Sequence, residues 1–164
     1  MRHLNFELRR SSIGFFSPQN YDDALLDALK IASLNPADAV LDAGCGMGSL
    51  ISLCMPWIKK GVQIVCMDID KKGLEAAKKR AEAAGVLKQV TFREQYFTES
   101  IYFQSEEYDA VFSLFSIYAV ADKDARKATL NNFKSSLKKD GRLILEVPIS
   151  STYGGNAFLV ACRK

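Results

Sequence analysis

A short stretch of the chain, residues 40–50, constrains its fold more than any other part of the sequence. It reads VLDAGCGMGSL: an apolar run ends at Asp42, glycines follow at alternate positions, and a second apolar run begins at Leu50. This order predicts a buried strand, a tight turn and a helix that starts at the turn. Glycine permits positive φ and a close approach of the backbone to a ligand, and the first amides of a helix are free to donate hydrogen bonds. We therefore predict a ligand-binding loop between the strand and the helix.

The acidic residue at the end of the strand discriminates among the ligands that such loops bind. A dinucleotide pyrophosphate next to the Asp42 carboxylate would be repelled, whereas a ligand with an ammonium group would be attracted. A nicotinamide-binding loop would also have a glycine at the position of Ser49. An ordinary glycine-rich turn is the simpler alternative, but it does not require the strand–turn–helix context seen here. The loop therefore favours a ligand that carries an ammonium group.

Apolar and helical patterns alternate along the rest of the chain. Strands are predicted over 39–41, 62–67, 90–93, 108–115, 141–147 and 157–162, and helices over 20–34, 49–60, 72–84 and 122–139. The second of these helices is expected to bend or end near Pro56. Strands that alternate with helices predict an α/β domain, in which a mostly parallel sheet is covered by helices on both faces.

The glycine loop carries a resemblance to a known family. The run from Asp42 to Gly48, with a second acidic strand end at Asp68 about twenty residues on, resembles the first motifs of the class I S-adenosylmethionine-dependent methyltransferases. Similar motifs follow in the same order over most of the chain. The resemblance implies a three-layer Rossmann-like fold with S-adenosyl-L-methionine as cofactor. It also implies that the methionine part of the cofactor meets Asp42 and the backbone of Gly44, Cys45, Gly46 and Gly48.

The end of the next strand supplies the residues expected at the adenosine part. Asp68 resembles the acidic residue that binds both ribose hydroxyls, since one carboxylate accepts two hydrogen bonds. Capping of the following helix is the alternative role, for which Asp70 is the better candidate. Ile69 is expected to lie against the adenine face.

The third strand end departs from the family pattern. The family often has Asp where this chain has Tyr96, and that Asp accepts a hydrogen bond from the adenine amino group. Gln95 is expected to accept it instead, with Tyr96 or Phe97 packed on the adenine ring. Ordinary core packing of these aromatic residues is the alternative.

The resemblance assigns no catalytic residue. Ser113, near the end of the fourth strand, is expected to border the methyl donor, and Tyr118 to project toward the acceptor. The only histidine, His3, lies far from these motifs in the sequence. If the acceptor is a hydroxyl, the candidates that could assist its deprotonation are Tyr118, Tyr21 and Glu146.

No metal site is expected. The cysteines, Cys45, Cys54, Cys66 and Cys162, lack metal-type spacing and a paired arrangement. We interpret all of them as reduced thiols.

The end of the chain also departs from the family. The residues after Val147 are too few for another right-handed crossover and its strand. The last strand is therefore predicted to lie antiparallel beside the fifth, in a sheet of six strands with the order 3-2-1-4-5-7 and without the usual sixth. The expected result is a single domain over 1–164 with a shortened wall beside the acceptor.

Two expectations concern the margins of this domain. Its outer strand, 157–162, would leave an unpaired edge, so we predict a homodimer that covers it, or alternatively a cover formed by residues 1–17. The N-terminal segment and first helix, residues 1–34, contain Phe15, Phe16 and Tyr21. These aromatic residues are expected either to close over the cofactor as a lid or to staple the helix to the sheet.

Composition narrows the classes of partner. A hydrophobic content of 48%, a charged content of 25% and a net charge of +3 are ordinary for a globular protein and do not indicate nucleic-acid binding. No apolar run is long enough to span a bilayer, and the N-terminus lacks the apolar core of a signal peptide. We therefore expect a cytoplasmic protein without a membrane or nucleic-acid partner.

The leading interpretation is an S-adenosylmethionine-dependent methyltransferase that acts on a small molecule. A non-catalytic cofactor-binding partner of another methyltransferase is one alternative, because the C-terminal wall is short and Tyr96 departs from the family. A methyltransferase for RNA or protein is another, because a short wall suits a large acceptor.

Overall fold

The computed structural model describes residues 6–7, 12–13, 18–99, 103–148 and 157–164, with side chains over 25–99, 103–146 and 163–164. Within these ranges eight strands and five α-helices follow one another along the chain. They are β1 (Phe6–Glu7), β2 (Ser12–Ile13), α1 (Pro18–Ala32), β3 (Ala39–Ala43), α2 (Ser49–Leu53), α3 (Met55–Ile58), β4 (Gln63–Asp68), α4 (Lys71–Ala83), β5 (Val90–Glu94), β6 (Tyr108–Ser113), α5 (Lys123–Ser136), β7 (Leu137–Pro148) and β8 (Ala157–Arg163).

The strands form one sheet, and the predicted order of its central strands is confirmed, but the sheet has eight strands rather than the predicted six because β1 and β2 add to its edge. Strands β5, β4, β3, β6 and β7 lie side by side in that order and are parallel, and β8 runs antiparallel along β7. In family numbering this is the order 3-2-1-4-5-7. The chain leaves β3 toward β4 on one side and later returns to β6 on the other. Ligands in open α/β sheets bind at such a switch point, outside the carboxyl ends of the strands.

The outer edge of β8 is covered by the N-terminal part of the chain. Strands β1 and β2 both pair antiparallel with β8, with Phe6 opposite Cys162 and Ser12 opposite Phe158. This is the arrangement that the sequence offered as the alternative to a dimer. The pairing therefore removes the reason for which a homodimer was expected, and the homodimer itself stays a prediction. Phe15, Phe16 and the Tyr21 side chain lie outside the described residues and side chains.

Side chains of the central strands alternate between two apolar layers. Val40 and Phe112 pack in the layer formed with α1, α2 and α4, whereas Leu41 and Val111 pack in the layer formed with α5. Phe133 of α5 is fully buried in the second layer. These two layers fix the strands, so that the carboxyl ends of β3, β4, β5, β6 and β7 come together at one margin of the sheet.

Helices α1 and α4 lie within two residues of their predicted bounds, whereas two other predicted helices differ more. The predicted helix 49–60 is divided at Cys54 into α2 and α3, next to Pro56, as the proline led us to expect. The predicted helix 122–139 instead ends at Ser136, because Leu137 already pairs with Tyr108 in the sheet and Lys138 Nζ lies 2.7 Å from Asp109 Oδ2. Sheet pairing thus overrides the helical pattern of the last residues. No helix in the described part of the chain is long and apolar enough to cross a membrane.

Candidate functional site

The glycine loop lies at the switch point, between the end of β3 and the start of α2. Gly44, Gly46 and Gly48 have φ values of +85°, +51° and +76°, a region that residues with a side chain rarely adopt. The amide of Gly44 donates to the Met67 carbonyl oxygen at 2.7 Å, which ties the loop to the end of β4. The glycines therefore have the conformational role that their spacing predicted.

Asp42 lies beneath this loop and is buried, with 6% of its surface exposed. Burial, and to a lesser degree the negative charge of Asp68, raises the pKa of Asp42 from 3.8 to about 7. The site without a ligand therefore opposes ionisation of this carboxylate near neutral pH. A cation placed beside Asp42 would favour the ionised form.

Asp68 connects the loop to the end of β4. Its Oδ2 accepts a hydrogen bond from the Gly46 amide at 2.7 Å, and its Oδ1 accepts one from the Asp70 amide at 3.0 Å. Each oxygen keeps further capacity to accept a hydrogen bond. The capping role belongs to Asp70, whose side chain accepts from the Lys72 amide at the start of α4.

The end of β5 presents an unpaired acceptor. Gln95 Oε1 is buried and has no hydrogen-bond partner among the described residues, while the Gln95 amide donates to the Asp68 carbonyl oxygen at 3.0 Å. Ile69 and Tyr96 are among the large apolar side chains that stay exposed, at 50% and 55%. Phe97 instead packs against Phe133, with ring centroids 6.0 Å apart. Of the aromatic pair, Tyr96 is therefore free to meet a ligand, and Phe97 has the core packing that was its alternative role.

A pair of serines joins the end of β6 to the glycine loop. Ser113, expected to border the methyl donor, is fully buried, and its Oγ lies 2.9 Å from Ser116 Oγ. Ser116 Oγ also donates to the Ala43 carbonyl oxygen at 2.7 Å. The residue nearest the loop is thus Ser116, which sequence reasoning missed. The one sequence feature that could have identified Ser116 is its position three residues after Ser113.

Glu146 lies near the carboxyl end of β7 and is 1% exposed. Its Oε2 accepts a hydrogen bond from the Phe115 amide at 3.1 Å, and its Oε1 is buried without a partner in the described part of the chain. Burial raises the pKa of Glu146 above its ordinary value. Tyr118 lies in a short 3-10 helix, Ile117–Ala119, and is 40% exposed. The structure thus brings Glu146 to the same margin of the sheet as the loop.

Three thiols surround the buried carboxylate. Cys45, Cys54 and Cys66 are free and buried. Burial and the neighbouring Asp42 raise the pKa of Cys54 to about 12, and a hydrogen bond with Cys45, together with burial, raises the pKa of Cys66 further. Cys54 and Cys66 are therefore protonated and act as small apolar groups. Among the described residues no group of His, Cys, Asp and Glu side chains could hold a metal ion.

Comparison with known proteins connects this site to a family. Residues 40–141 match the family model described as a methyltransferase domain. The chain is 27% identical over 113 residues to the ubiquinone/menaquinone biosynthesis C-methyltransferase UbiE of Wigglesworthia glossinidia brevipalpis, over 69% of this chain and 44% of that protein. The chain thus spans less than half the length of this curated relative.

Solved structures share the fold. The YcgJ protein of Bacillus subtilis superposes with a TM-score of 0.68 at 23% identity, over 77% of this chain and 51% of its own. A SAM-dependent methyltransferase from Aquifex aeolicus superposes with a TM-score of 0.69 at 14% identity, over 90% of this chain and 98% of its own. At these identities the likeness shows the architecture and leaves the acceptor open.

Proposed function

Because the chain belongs to the methyltransferase domain family, in its S-adenosylmethionine-dependent class, we propose that it transfers the methyl group of S-adenosyl-L-methionine to a small-molecule acceptor. One observation carries this proposal. Three hydrogen-bond acceptors, Asp42, Asp68 and Gln95 Oε1, lie at the ends of three adjacent parallel strands. The methyl donor has three groups of donors along its length: an ammonium, a ribose diol and an adenine amino group.

The residues of the site fit this ligand in order. Asp42, whose burial opposes ionisation, gains a cationic partner when the ammonium lies beside it. Asp68 keeps its hydrogen bonds to the Gly46 and Asp70 amides and still accepts from the ribose hydroxyls. Gln95 Oε1, a buried acceptor without a partner, receives the adenine amino group. The exposed side chains of Ile69 and Tyr96 then pack against the adenine and become buried.

The bound donor supplies a methyl group that is already activated by a positively charged sulfur. The chain's own residues therefore mainly position the reactants and exclude water. The glycine loop brings backbone close to the methionine part, and the Ser116 contact with Ala43 keeps the end of β6 against that loop. The acceptor is then held on the side of the donor that faces β6 and β7.

The acceptor side favours a small molecule over a macromolecule. Leu114 and Ile117, which follow the end of β6, and Glu146, near the carboxyl end of β7, are all buried. An enclosed margin of this kind suits a compact acceptor, and the matched relative is itself named for quinone biosynthesis. A protein or RNA acceptor would need a broad exposed surface here.

Two measurements test the proposal. Calorimetry should show binding of S-adenosylmethionine and S-adenosylhomocysteine, and no comparable binding of NAD. Incubation with methyl-labelled donor and separate pools of metabolites, RNA and protein should then label the metabolite pool. Tight NAD binding without a response to S-adenosylhomocysteine would contradict the proposal, binding without transfer to any pool would indicate a non-catalytic partner, and labelled RNA or protein would indicate a macromolecular acceptor.

A further inference from the structure

Glu146 is, with Asp42, one of two buried carboxylates in the described part of the chain that take part in no ion pair. Glu107 also has one unpaired oxygen, but its Oε1 lies 3.0 Å from Arg93. No ion pair among the described residues includes Glu146, and its single hydrogen bond comes from the Phe115 amide. An unpaired buried oxygen costs free energy unless a ligand or another group donates to it. Glu146 Oε1 is therefore available for a donor that none of the described residues supplies.

Three contacts connect the Glu146 carboxylate to the glycine loop. Leu145 pairs with Ser113 in the sheet, so Glu146 stands level with the point where the chain leaves β6. Its Oε2 holds the Phe115 amide, and the next residue, Ser116, donates to the Ala43 carbonyl oxygen beside Gly44. One short turn thus joins the Glu146 carboxylate to the glycine loop. The carboxylate lies on the β7 side of that loop, where the acceptor is expected.

The surroundings of Glu146 indicate the chemistry of the missing donor. Leu114, Ile144 and Ile117 are buried nearby in sequence or in the sheet, and the pKa of Glu146 is raised by burial with no cation to lower it. A neutral hydroxyl on an apolar ring fits such surroundings, because it satisfies Oε1 without a second buried charge. The pKa of a phenol is about 10. It lies much closer to the raised pKa of a buried carboxylate than the pKa of an alcohol does.

We propose that Glu146 Oε1 is the proton acceptor of the reaction and that the methyl acceptor is a phenol. The proposal rests on the proposed function. The O–H bond of the phenol breaks and its proton passes to Oε1 while the phenol oxygen forms a bond to the methyl carbon. The bond from that carbon to sulfur breaks with its electron pair on sulfur, which leaves a neutral thioether. The proton then returns from Glu146 to solvent as the product leaves.

The test compares three proteins, the unmodified chain, Glu146→Gln and Glu75→Gln, on a panel of substituted phenols of graded acidity with methyl-labelled donor. Glutamine keeps a carbonyl oxygen for the Phe115 amide but cannot take a proton. We expect kcat to fall about 10²–10⁴-fold in Glu146→Gln, most for the least acidic phenols, whereas Glu75→Gln, altered on an exposed residue of α4, keeps the original rates. A purely structural role of Glu146 would lower all rates equally.

Binding of S-adenosylhomocysteine separates the two proposals. If calorimetry shows no binding to the unmodified chain, the proposed function fails. If binding is intact in both variants and Glu146→Gln retains its rates within about threefold, the base assignment alone is overturned. If binding is intact and amines but no phenols are methylated, or no phenol in the panel is methylated at all, the substrate class is overturned.

Discussion

Gly44 and Ser116 are in direct contact across the candidate site. A Cβ built on Gly44 would lie 2.2 Å from Ser116 Cβ and 2.6 Å from its Oγ. The end of β6 therefore rests against the glycine loop only because residue 44 has no side chain. This contact and the positive φ of Gly44 make two separate demands for glycine.

The two demands can be separated by substitution. Gly44→Ala should destabilise the protein by more than the roughly 1–2 kcal/mol that a left-handed alanine costs, because the serine side chain must also move. Gly46→Ala is the matched control, since its Cβ would meet nothing within 4 Å and only the φ cost applies. Thermal unfolding of Gly44→Ala, Gly46→Ala and Gly44→Ala with Ser116→Gly should show that removing the serine side chain restores part of the loss. Equal melting temperatures of the single variants would refute the contact.

The pKa of Asp42 predicts how donor binding depends on pH. The pKa of Asp42 is about 7, so at lower pH the free protein holds a proton on Asp42. This proton must leave before the carboxylate can pair with the ammonium. Affinity for S-adenosylmethionine should therefore rise as pH increases to about 7, with up to one proton released per binding event below that pH. Calorimetry in two buffers of different ionisation enthalpy measures this proton, and Asp42→Asn should abolish both effects.

The same residue should limit the stability of the unliganded protein. The folded pKa of Asp42 lies above the unfolded value of 3.8, so the folded state loses stability as pH rises from about 4 to about 7. Asp42→Asn should then stabilise the free protein above pH 7, by on the order of 3–4 kcal/mol. Denaturant unfolding at pH 8 measures the gain. Asp124→Asn, on an exposed position of α5, serves as the control and should have little effect.

Asp68 and Asp70 provide a matched pair for the ribose interaction. Asp68→Ala should weaken donor binding by about 2–3 kcal/mol, the scale of hydrogen bonds to a charged group. It should also cost some stability, because the carboxylate holds the Gly46 and Asp70 amides. Asp70→Ala removes the cap of α4 at a cost of about 1 kcal/mol and should leave affinity unchanged. If Asp68→Ala and Asp70→Ala bind the methyl donor with equal affinity, Asp68 has only a structural role, like Asp70.

The cover over β8 predicts a change in association state. Removing residues 1–13 deletes β1 and β2 and exposes a row of backbone donors and acceptors along β8. The shortened chain should self-associate as its concentration rises into the micromolar range, whereas the full chain should not. Light scattering measures the difference, and a chain that lacks only residues 1–5 keeps both strands as the control. A full chain that is already dimeric would restore the homodimer.

Local sequence patterns predicted the order of the strands and the hydrogen-bond acceptors at the ends of β3, β4 and β5. Apolar alternation and turn glycines can be recognised within a few consecutive residues. Contacts between distant residues were not predictable in this way. Ser116 reaches Ala43 across 73 residues of sequence, and its Oγ also lies 2.9 Å from Ser113 Oγ. Likewise, α5 ends early because Leu137 finds a partner in Tyr108. Whether Glu146 Oε1 has a hydrogen-bond partner depends on all the residues around it in space. Its lack of a partner among the described residues therefore could be seen only in the structure.

The pairing of β1 and β2 with β8 has a consequence for synthesis of the chain. Phe6 leaves the ribosome long before Cys162, its neighbour across the ladder. Strands β4 to β7 can pair as they emerge, because each finds a partner among strands already made. The N-terminal strands, by contrast, must wait for the last segment, and such distant pairing is slow. Strands β1 and β2 are therefore made well before β8 but enter the sheet only after it.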